Sequence, residues 1–459
     1  MNDTPERESM APGERGWTRR RFVQTGGAAA LGVGGGVAGL LGPACSLRGP
    51  TAIQLARRRE TPPHAGPPRK VALLISEVRR MSHGQHFLDR FLEGYGWNGE
   101  HHHPPFEVAG LYVDQFPEND LARERSRRFG IPLASTIEEA LTGGGSRLAV
   151  DGVVIVAEHG KYPDNEKGQR LYPRYPFFKR VVKVFEASGR SVPVFNDKHL
   201  STDWDQCVEM VADSRRLGFP FLAGSSLPVT WRIPDMEVPI DTPLTESLCA
   251  CYGGVDSYDF HGLETAQCVS ERRRGGEVGI RSVQALKGAR VWSLLREREI
   301  PRRLLFAALA RSQTCRVPEG FTCLPPDLGW LESLCPEVIA YLIEHRDGFR
   351  TTMLLLNGLI QDFNYAGFEP RRNRIHSCQM YLPMPSSRST LADFFNPLVN
   401  NIEIMLRTGK APYPVERTLL TSGMTLGGVE SLHRGQVPFE TPGMEVLYRA
   451  PAESHHWRS

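Results

Sequence analysis

The chain has 459 residues, 40% of them hydrophobic and 23% charged, a length that predicts two or three domains with full-sized cores. Lys and Arg number 55 against 52 Asp and Glu; the first fifty residues hold 6 basic and 4 acidic groups, leaving 49 against 48 in the remainder. That balance excludes a dedicated nucleic-acid binder, which needs a basic excess or patch, and a single short apolar stretch excludes a multi-spanning membrane protein.

At the N-terminus, Thr18-Arg19-Arg20-Arg21-Phe22-Val23-Gln24 leads into a run from Gly26 to Leu41 built only of Gly, Ala, Val and Leu, ending in Gly42-Pro43-Ala44. Paired arginines before a weakly apolar, glycine-rich segment resemble a twin-arginine export signal. Residues 1–48 are therefore read as that signal, with the twin-arginine translocase as partner during export. The expected location is periplasmic or extracellular, with tethering by an uncleaved signal as the alternative. Leu41 lies four residues before Cys45 rather than three, which disfavours lipidation there. None of the nine cysteines forms a Cys-x-x-Cys pair, so a zinc ribbon or thioredoxin-like centre is not expected. In an exported protein, Cys315, Cys323 and Cys335 are the candidates for oxidation; buried free thiols are the alternative.

A Pro/Arg-rich linker over 49–69 follows, and then strands alternate with helices. The continuous apolar run Val71-Ala72-Leu73-Leu74-Ile75 predicts a strand buried on both faces of a parallel sheet. Phe87, Leu88, Phe91 and Leu92 follow at helical spacing. A second strand covers Val108 to Val113, a helix Asp120 to Phe129, a short strand Ile131 to Leu133 and a helix Thr136 to Leu141. Strands at Gly152–Val156, Val192–Phe195 and Phe219–Ala223 alternate with helices at Phe177–Ser188 and Trp204–Leu217. Such alternation implies right-handed crossovers and a doubly wound α/β sheet, over residues 70–228.

The order strand, helix, Val113-Asp114, then "DGVVIVAEH" from Asp151 and "VPVFNDKHL", resembles the Gfo/Idh/MocA family, named for glucose–fructose oxidoreductase and inositol dehydrogenase. "HGLETAQCVSERRRGGEVGIRSVQAL" is similar to that family's His-x-x-Asp helix and the first long strand of its second domain. The likeness runs from about Lys70 to Tyr448. It implies a Rossmann-like dinucleotide-binding domain followed, over 229–459, by an α+β open-faced mixed sheet whose C-terminal elements return to the first domain. It also implies NAD- or NADP-linked oxidation or reduction of a sugar or polyol, and association into a homo-oligomer through the second sheet.

The likeness assigns catalysis to Lys198, in "NDKH" where the family has Glu-Lys-Pro, and to His261. Asp197 and His199 flank the lysine, Glu264 stands at the His-x-x-Asp position, and the acid that often precedes the histidine is replaced by Ser257 between Asp256 and Asp259. Burial beside a cofactor lowers a lysine's pKa toward neutrality, and a neutral imidazole can take a hydroxyl proton. The first turn departs from the pattern. A Rossmann phosphate loop uses Gly-x-Gly-x-x-Gly, whereas Ser76-Glu77-Val78-Arg79-Arg80-Met81 has no glycine, so Arg79 and Arg80 would bind phosphate by side chains. Asp114 is either the ribose-binding acid or a helix cap. Glu158 and His159 follow a strand at the ligand-binding edge, in the segment that by the likeness runs beside the nicotinamide and binds the cofactor. Tyr162, Asn165 and Glu166 in the weakly apolar stretch behind them suit a polyhydroxylated ligand or decorate a surface loop, and Ser225 and Arg232, at the crossing into the second domain, suit a carbohydrate or carboxylate. His101-His102-His103 read as a solvated loop and no metal site is assigned. Three functions stay open: the NAD(P)-linked oxidoreductase, a cofactor-free relative that binds carbohydrate or serves as a non-catalytic subunit, and a hydrolase or lyase reusing Glu158, His159, His199 and His261.

Overall fold

A computed structural model describes residues 68–321, 324–383 and 391–458. The export-type segment with Cys45, most of the 49–69 linker and Cys323 lie outside the described residues. Six parallel strands build the first sheet: β1 (Arg69–Glu77), β2 (Phe106–Gln115), β3 (Leu133–Ala134), β4 (Gly152–Val156), β5 (Val194–Asp197) and β6 (Phe221–Gly224). They lie in the order β3-β2-β1-β4-β5-β6, so the winding reverses between β1 and β4 and opens a ligand-type crevice at their carboxyl ends. Val71 to Ile75 are all buried because helices cover both faces. Val71, Leu73 and Ile75 pack toward α1 (His83–Glu93), and Ala72 and Leu74 toward α3 (Ile137–Thr142), α4 (Arg174–Ser188) and α5 (Trp204–Arg216). Between β2 and β3 runs α2 (Ala122–Phe129).

The second sheet is mixed. Its strands are β7 (Arg232–Ile233), β8 (Glu246–Cys251), β9 (Ile280–Lys287), β10 (Ile339–His345), β11 (Arg350–Leu355), β12 (Phe363–Glu369), β13 (Arg374–Met380) and β14 (Phe439–Glu440), ordered β14-β9-β10-β11-β8-β12-β13-β7. Only β8 and β11 pair in parallel. Side chains alternate between its faces with the period of two that a strand imposes. Cys249, Cys251, Met353 and Tyr365 face α6 (Tyr258–Ser270) and α11 (Glu416–His433), in a core continuous with Ile155 and Val194 of the first sheet. Leu248, Ala250, Leu354 and Ala366 face the other way, onto α7 (Ala289–Glu297), α8 (Glu299–Leu309) and α9 (Leu328–Leu334). Helices α7 to α9 cover this face around those four residues, with Trp292, Leu305 and Leu331 fully buried, while Ser282, Gln284, Leu342 and Glu344 on β9 and β10 stay half-buried. The last helical pair begins with α10 (Phe395–Thr408), which returns to the first domain and sets Phe395, Leu398 and Ile402 into the core around Phe87.

Two smaller expectations change. The connection around the three histidines is a hairpin, Tyr95–Trp97 with Glu100–His102; His101 and His103 are exposed, while half-buried His102 brings its Nε2 within 2.9 Å of buried Glu403 on α10. The seven cysteines among the described residues, Cys315 and Cys335 included, are free thiols. No helix among the described residues is long and apolar enough to cross a membrane.

Candidate functional site

Strand β5 ends at Asp197, and Lys198 turns off the sheet at φ +70°, a region non-glycine residues rarely enter. Its N–H donates to Gly224 O at 3.2 Å, which pins the turn to the neighbouring strand end. The side chain runs to α6, whose first turn carries His261, and Nζ lies 2.6 Å from His261 Nε2. The lysine and the imidazole thus meet at the sheet edge, both buried.

Further partners fix the pair. His261 Nδ1 is 3.0 Å from Ser225 Oγ and 3.4 Å from Glu264 Oε2, and Glu264 in turn accepts from the N–H (2.8 Å) and hydroxyl of Ser225. These contacts place the ring proton on Nδ1 and leave the Nε2 lone pair to the ammonium. Burial, then the charge of Lys198, holds the imidazole well below its usual pKa, so it is neutral. Burial pushes the Glu264 carboxyl up to about 7. Glu158 Oε1 stands 3.8 Å from the ammonium while its other oxygen accepts from Arg174. Burial alone would raise the Glu158 carboxyl, but Lys198 and Arg174 outweigh it and keep it ionised far below the usual carboxylate range.

The acids flanking Ser257 do other work. Asp259 accepts the backbone N–H groups of Asp256, Ser257 and Phe260 and the hydroxyl of Tyr341, which makes it a structural clasp at the start of α6. Asp256 accepts from Gln169 at 2.9 Å and lies 3.7 Å from His199 Nε2. Orientation of His261 falls instead to Ser225 and Glu264. His199 is held by Arg174 (3.1 Å) and Ser201 O (3.1 Å). Arg232 is not in this cluster: at the start of β7 it is buried against Met236 O (3.1 Å) and Cys268, an internal brace and not a ligand contact.

The turn after β1 is rebuilt with side chains. Ser76 Oγ donates to Glu158 O at 2.7 Å, tying β1 to β4. Arg79 Nε reaches Glu77 Oε1 at 2.5 Å and cancels the charge that would repel a phosphate, and Arg80 is exposed. Ser82 caps α1 by accepting from Gln85 N (3.1 Å), and Gln85 Oε1 takes Met81 N (2.7 Å). The absence of glycine from residues 76–81 is not the whole account of this turn. Gly84, in the first turn of α1, lies so close to β1 that a Cβ there would stand 2.4 Å from Glu77 O and 2.6 Å from Ile75 Cγ2. That close helix–strand approach is what the last glycine of a phosphate loop provides.

Residues 158–173 form a strap. Lys161 N donates to Gln115 Oε1 (2.9 Å) and Gln115 Nε2 to Lys161 O (3.1 Å), so the segment leaving β4 passes over the end of β1 to reach β2. There Tyr162 donates to Asp114 Oδ2 (2.7 Å), while Tyr112 holds Oδ1 (2.8 Å). Asn165 closes the strap's own turn, accepting from Lys167 N and Gln169 N at 3.0 Å each. Lys167 pairs with Glu430 on α11 at 2.5 Å, and Glu166 is exposed. Tyr162 and Asn165, assigned to a ligand from sequence, therefore fasten the strap, while Glu166, assigned likewise, stands on its exposed side. A run of polar residues without periodicity gave no sign that most of its side chains would be spent on hydrogen bonds to the chain itself.

His83, which no motif marked, joins the cluster. Its Nδ1 lies 2.6 Å from Asp197 Oδ2, and its ring is 5.3 Å from that of His159, whose pKa is lowered to about 3 by burial and then by His83. The signal was present as Ser82-His83-Gly84: a capping serine sets the next residue at the helix start, facing the sheet edge.

These residues fit a dinucleotide at three points: the close approach at Gly84, a helix start facing the switch point, and the exposed carboxylate of Asp114 at the end of β2. A pyrophosphate there must compete with Ser82 for the Gln85 amide of α1, with the Gln85 side chain for the Met81 amide, and with the strap for the space above β1.

No family model and no curated protein matches the sequence. In fold, the chain is similar to GenD2 from gentamicin A biosynthesis, solved in complex with NAD, at a TM-score of 0.51 and 11% identity, covering 83% of this chain and 98% of that one. It is equally similar to a myo-inositol dehydrogenase from Lactobacillus casei, solved with NAD(H) and myo-inositol, at a TM-score of 0.51 and 10% identity over 83% and 98% of the two chains. Both likenesses concern the architecture: a Rossmann-like sheet followed by a mixed sheet.

Proposed function

We propose that the protein is an oxidoreductase of the Gfo/Idh/MocA type, acting on a sugar or polyol with NAD or NADP and exported by the twin-arginine route to the periplasm or beyond. The observation that carries this reading is the 2.6 Å contact between Lys198 and His261 at the carboxyl edge of the first sheet. A dinucleotide, when bound, supplies the hydride exchange. The chain supplies the rest. Lys198 offers a positive donor to an oxygen that gains charge, Glu158 balances that donor at 3.8 Å, and Ser225 with Glu264 keeps the imidazole in the tautomer that accepts from Nζ. Burial strengthens each of these interactions by excluding water. Gly84, the start of α1, Arg79, Arg80 and Asp114 are the residues that would hold the nucleotide.

A second reading, a cofactor-free relative that binds carbohydrate or serves as a subunit, draws support from the capped amides of α1 and from the strap over β1. Denaturing the purified protein and measuring released nucleotide by mass spectrometry separates the two. The first reading expects stoichiometric NAD or NADP, or saturable binding when it is added; neither retention nor binding leaves the second.

A further inference from the structure

We propose that His83 is a further catalytic residue of this same site, its Nε2 taking the hydroxyl proton of the substrate while Asp197 holds Nδ1–H. The inference rests on the oxidoreductase reading and supplies what the Lys198–His261 contact lacks, an unoccupied base. Both nitrogens of His261 are engaged, one by Lys198 and the other by Ser225, and both of His199, by Arg174 and Ser201 O. His83 differs. Its Nδ1 is bound to a carboxylate at 2.6 Å, its side chain is 17% exposed beside a fully buried Asp197, and its Nε2 has no protein partner among the described residues.

A carboxylate on Nδ1–H fixes the tautomer whose Nε2 is a free acceptor. Asp197 is well placed for this, because its second oxygen, Oδ1, is buried with no hydrogen-bond partner. The neighbouring Asn196 Oδ1 is likewise buried and unpartnered, so the end of β5 holds two acceptors that the protein itself leaves unsatisfied. His83 and Lys198 border one segment: the His83 ring is 5.3 Å from that of His159, and the Lys198 ammonium 3.8 Å from Glu158. In the step assigned here, a substrate O–H bond breaks and the proton forms a bond to His83 Nε2. The electron pair stays on oxygen as an alkoxide facing the Lys198 ammonium.

Diethyl pyrocarbonate acylates neutral, accessible imidazole nitrogens, and mass spectrometry of the full chain resolves each site. The expected result is modification of His83 about tenfold faster than of His261 or His199, with a loss of similar size in Asp197→Asn, the scale on which a lost carboxylate partner acts on a histidine. Modification of His83 no faster than of those two in the unaltered protein overturns the proposal without needing the variant to fold. So does a folded Asp197→Asn protein that labels His83 at the original rate. Neither readout depends on bound nucleotide or turnover, so failure here is distinct from failure of the oxidoreductase reading.

Discussion

Gly84 and Ile75 touch so closely that a single added methyl group would lie 2.6 Å from Ile75 Cγ2, and 2.4 Å from the carbonyl oxygen of Glu77. The helix start is thereby drawn onto the strand end, which sets Ser82, His83 and the α1 amides at the crevice. Gly84→Ala should lower stability by about 1–3 kcal/mol, the scale of overpacking against atoms that cannot yield. The gain of about 1 kcal/mol in helix propensity offsets only part of it. Urea unfolding followed by circular dichroism measures it; an unchanged or higher midpoint would show that the helix has room to move.

Arg417 on α11 reaches Glu271, just past α6, through its Nε at 2.8 Å and through a second donor, and Tyr448 adds a hydroxyl at 2.9 Å. Both charged groups are almost wholly buried. Arg417→Met should cost about 3–5 kcal/mol, because it strands a buried carboxylate. Adding Glu271→Gln should return part of that loss, and a double variant no more stable than the single one argues against this explanation.

Burial raises the folded-state pKa of Glu264 from 4.5 to about 7. Its protonated form is therefore favoured by folding, a contribution fully present below about 4.5 and lost as pH rises to about 7. Glu264→Gln keeps a neutral group at every pH. Its stability relative to the unaltered protein should climb by about 1–3 kcal/mol between those limits and stay level outside them. Unfolding midpoints measured from pH 4 to pH 8 give the curve; a difference flat across the range would mean the carboxyl titrates normally.

Tyr162 and Gln115 fasten the strap over β1, in space a nucleotide would share. Tyr162→Phe with Gln115→Ala should tighten NAD binding several-fold, since the ligand no longer displaces those hydrogen bonds, each worth about 0.5–1.5 kcal/mol. Weaker binding by calorimetry would mean that the strap forms part of the nucleotide's seat.

Helices α7, α8 and α9 cover the Leu248, Ala250, Leu354 and Ala366 part of the second sheet, which leaves little apolar sheet there to pair two copies. Light scattering on the eluting protein should give the mass of one chain; a stable dimer protected along α8 would place an interface on the helices instead.

The parallel sheet was legible because its strands are unbroken apolar runs with polar breaks between them, and β4 was found to the residue. Lys198 and His261 were legible through a likeness that survives in a few residues around each. Other features were not. His83 lies 114 positions from Asp197, and only the closure of α1 onto β5 brings them together. The helices over the second sheet come from residues 289–334, where amphipathic segments show one apolar face without saying what it covers. Arg232 read as a ligand group because its sequence neighbours are hydroxyls, whereas burial between β7 and α6 commits it to the interior.

The central claim is that Lys198, held against His261, serves the reacting oxygen of a sugar or polyol. NAD(P)H formation measured across a panel of sugars and polyols, myo-inositol among them, tests it most directly when the protein is compared with Lys198→Met. The account predicts turnover that falls by about 10²–10⁴-fold in the variant at an unchanged unfolding midpoint. A folded Lys198→Met protein that turns over at the original rate would contradict it.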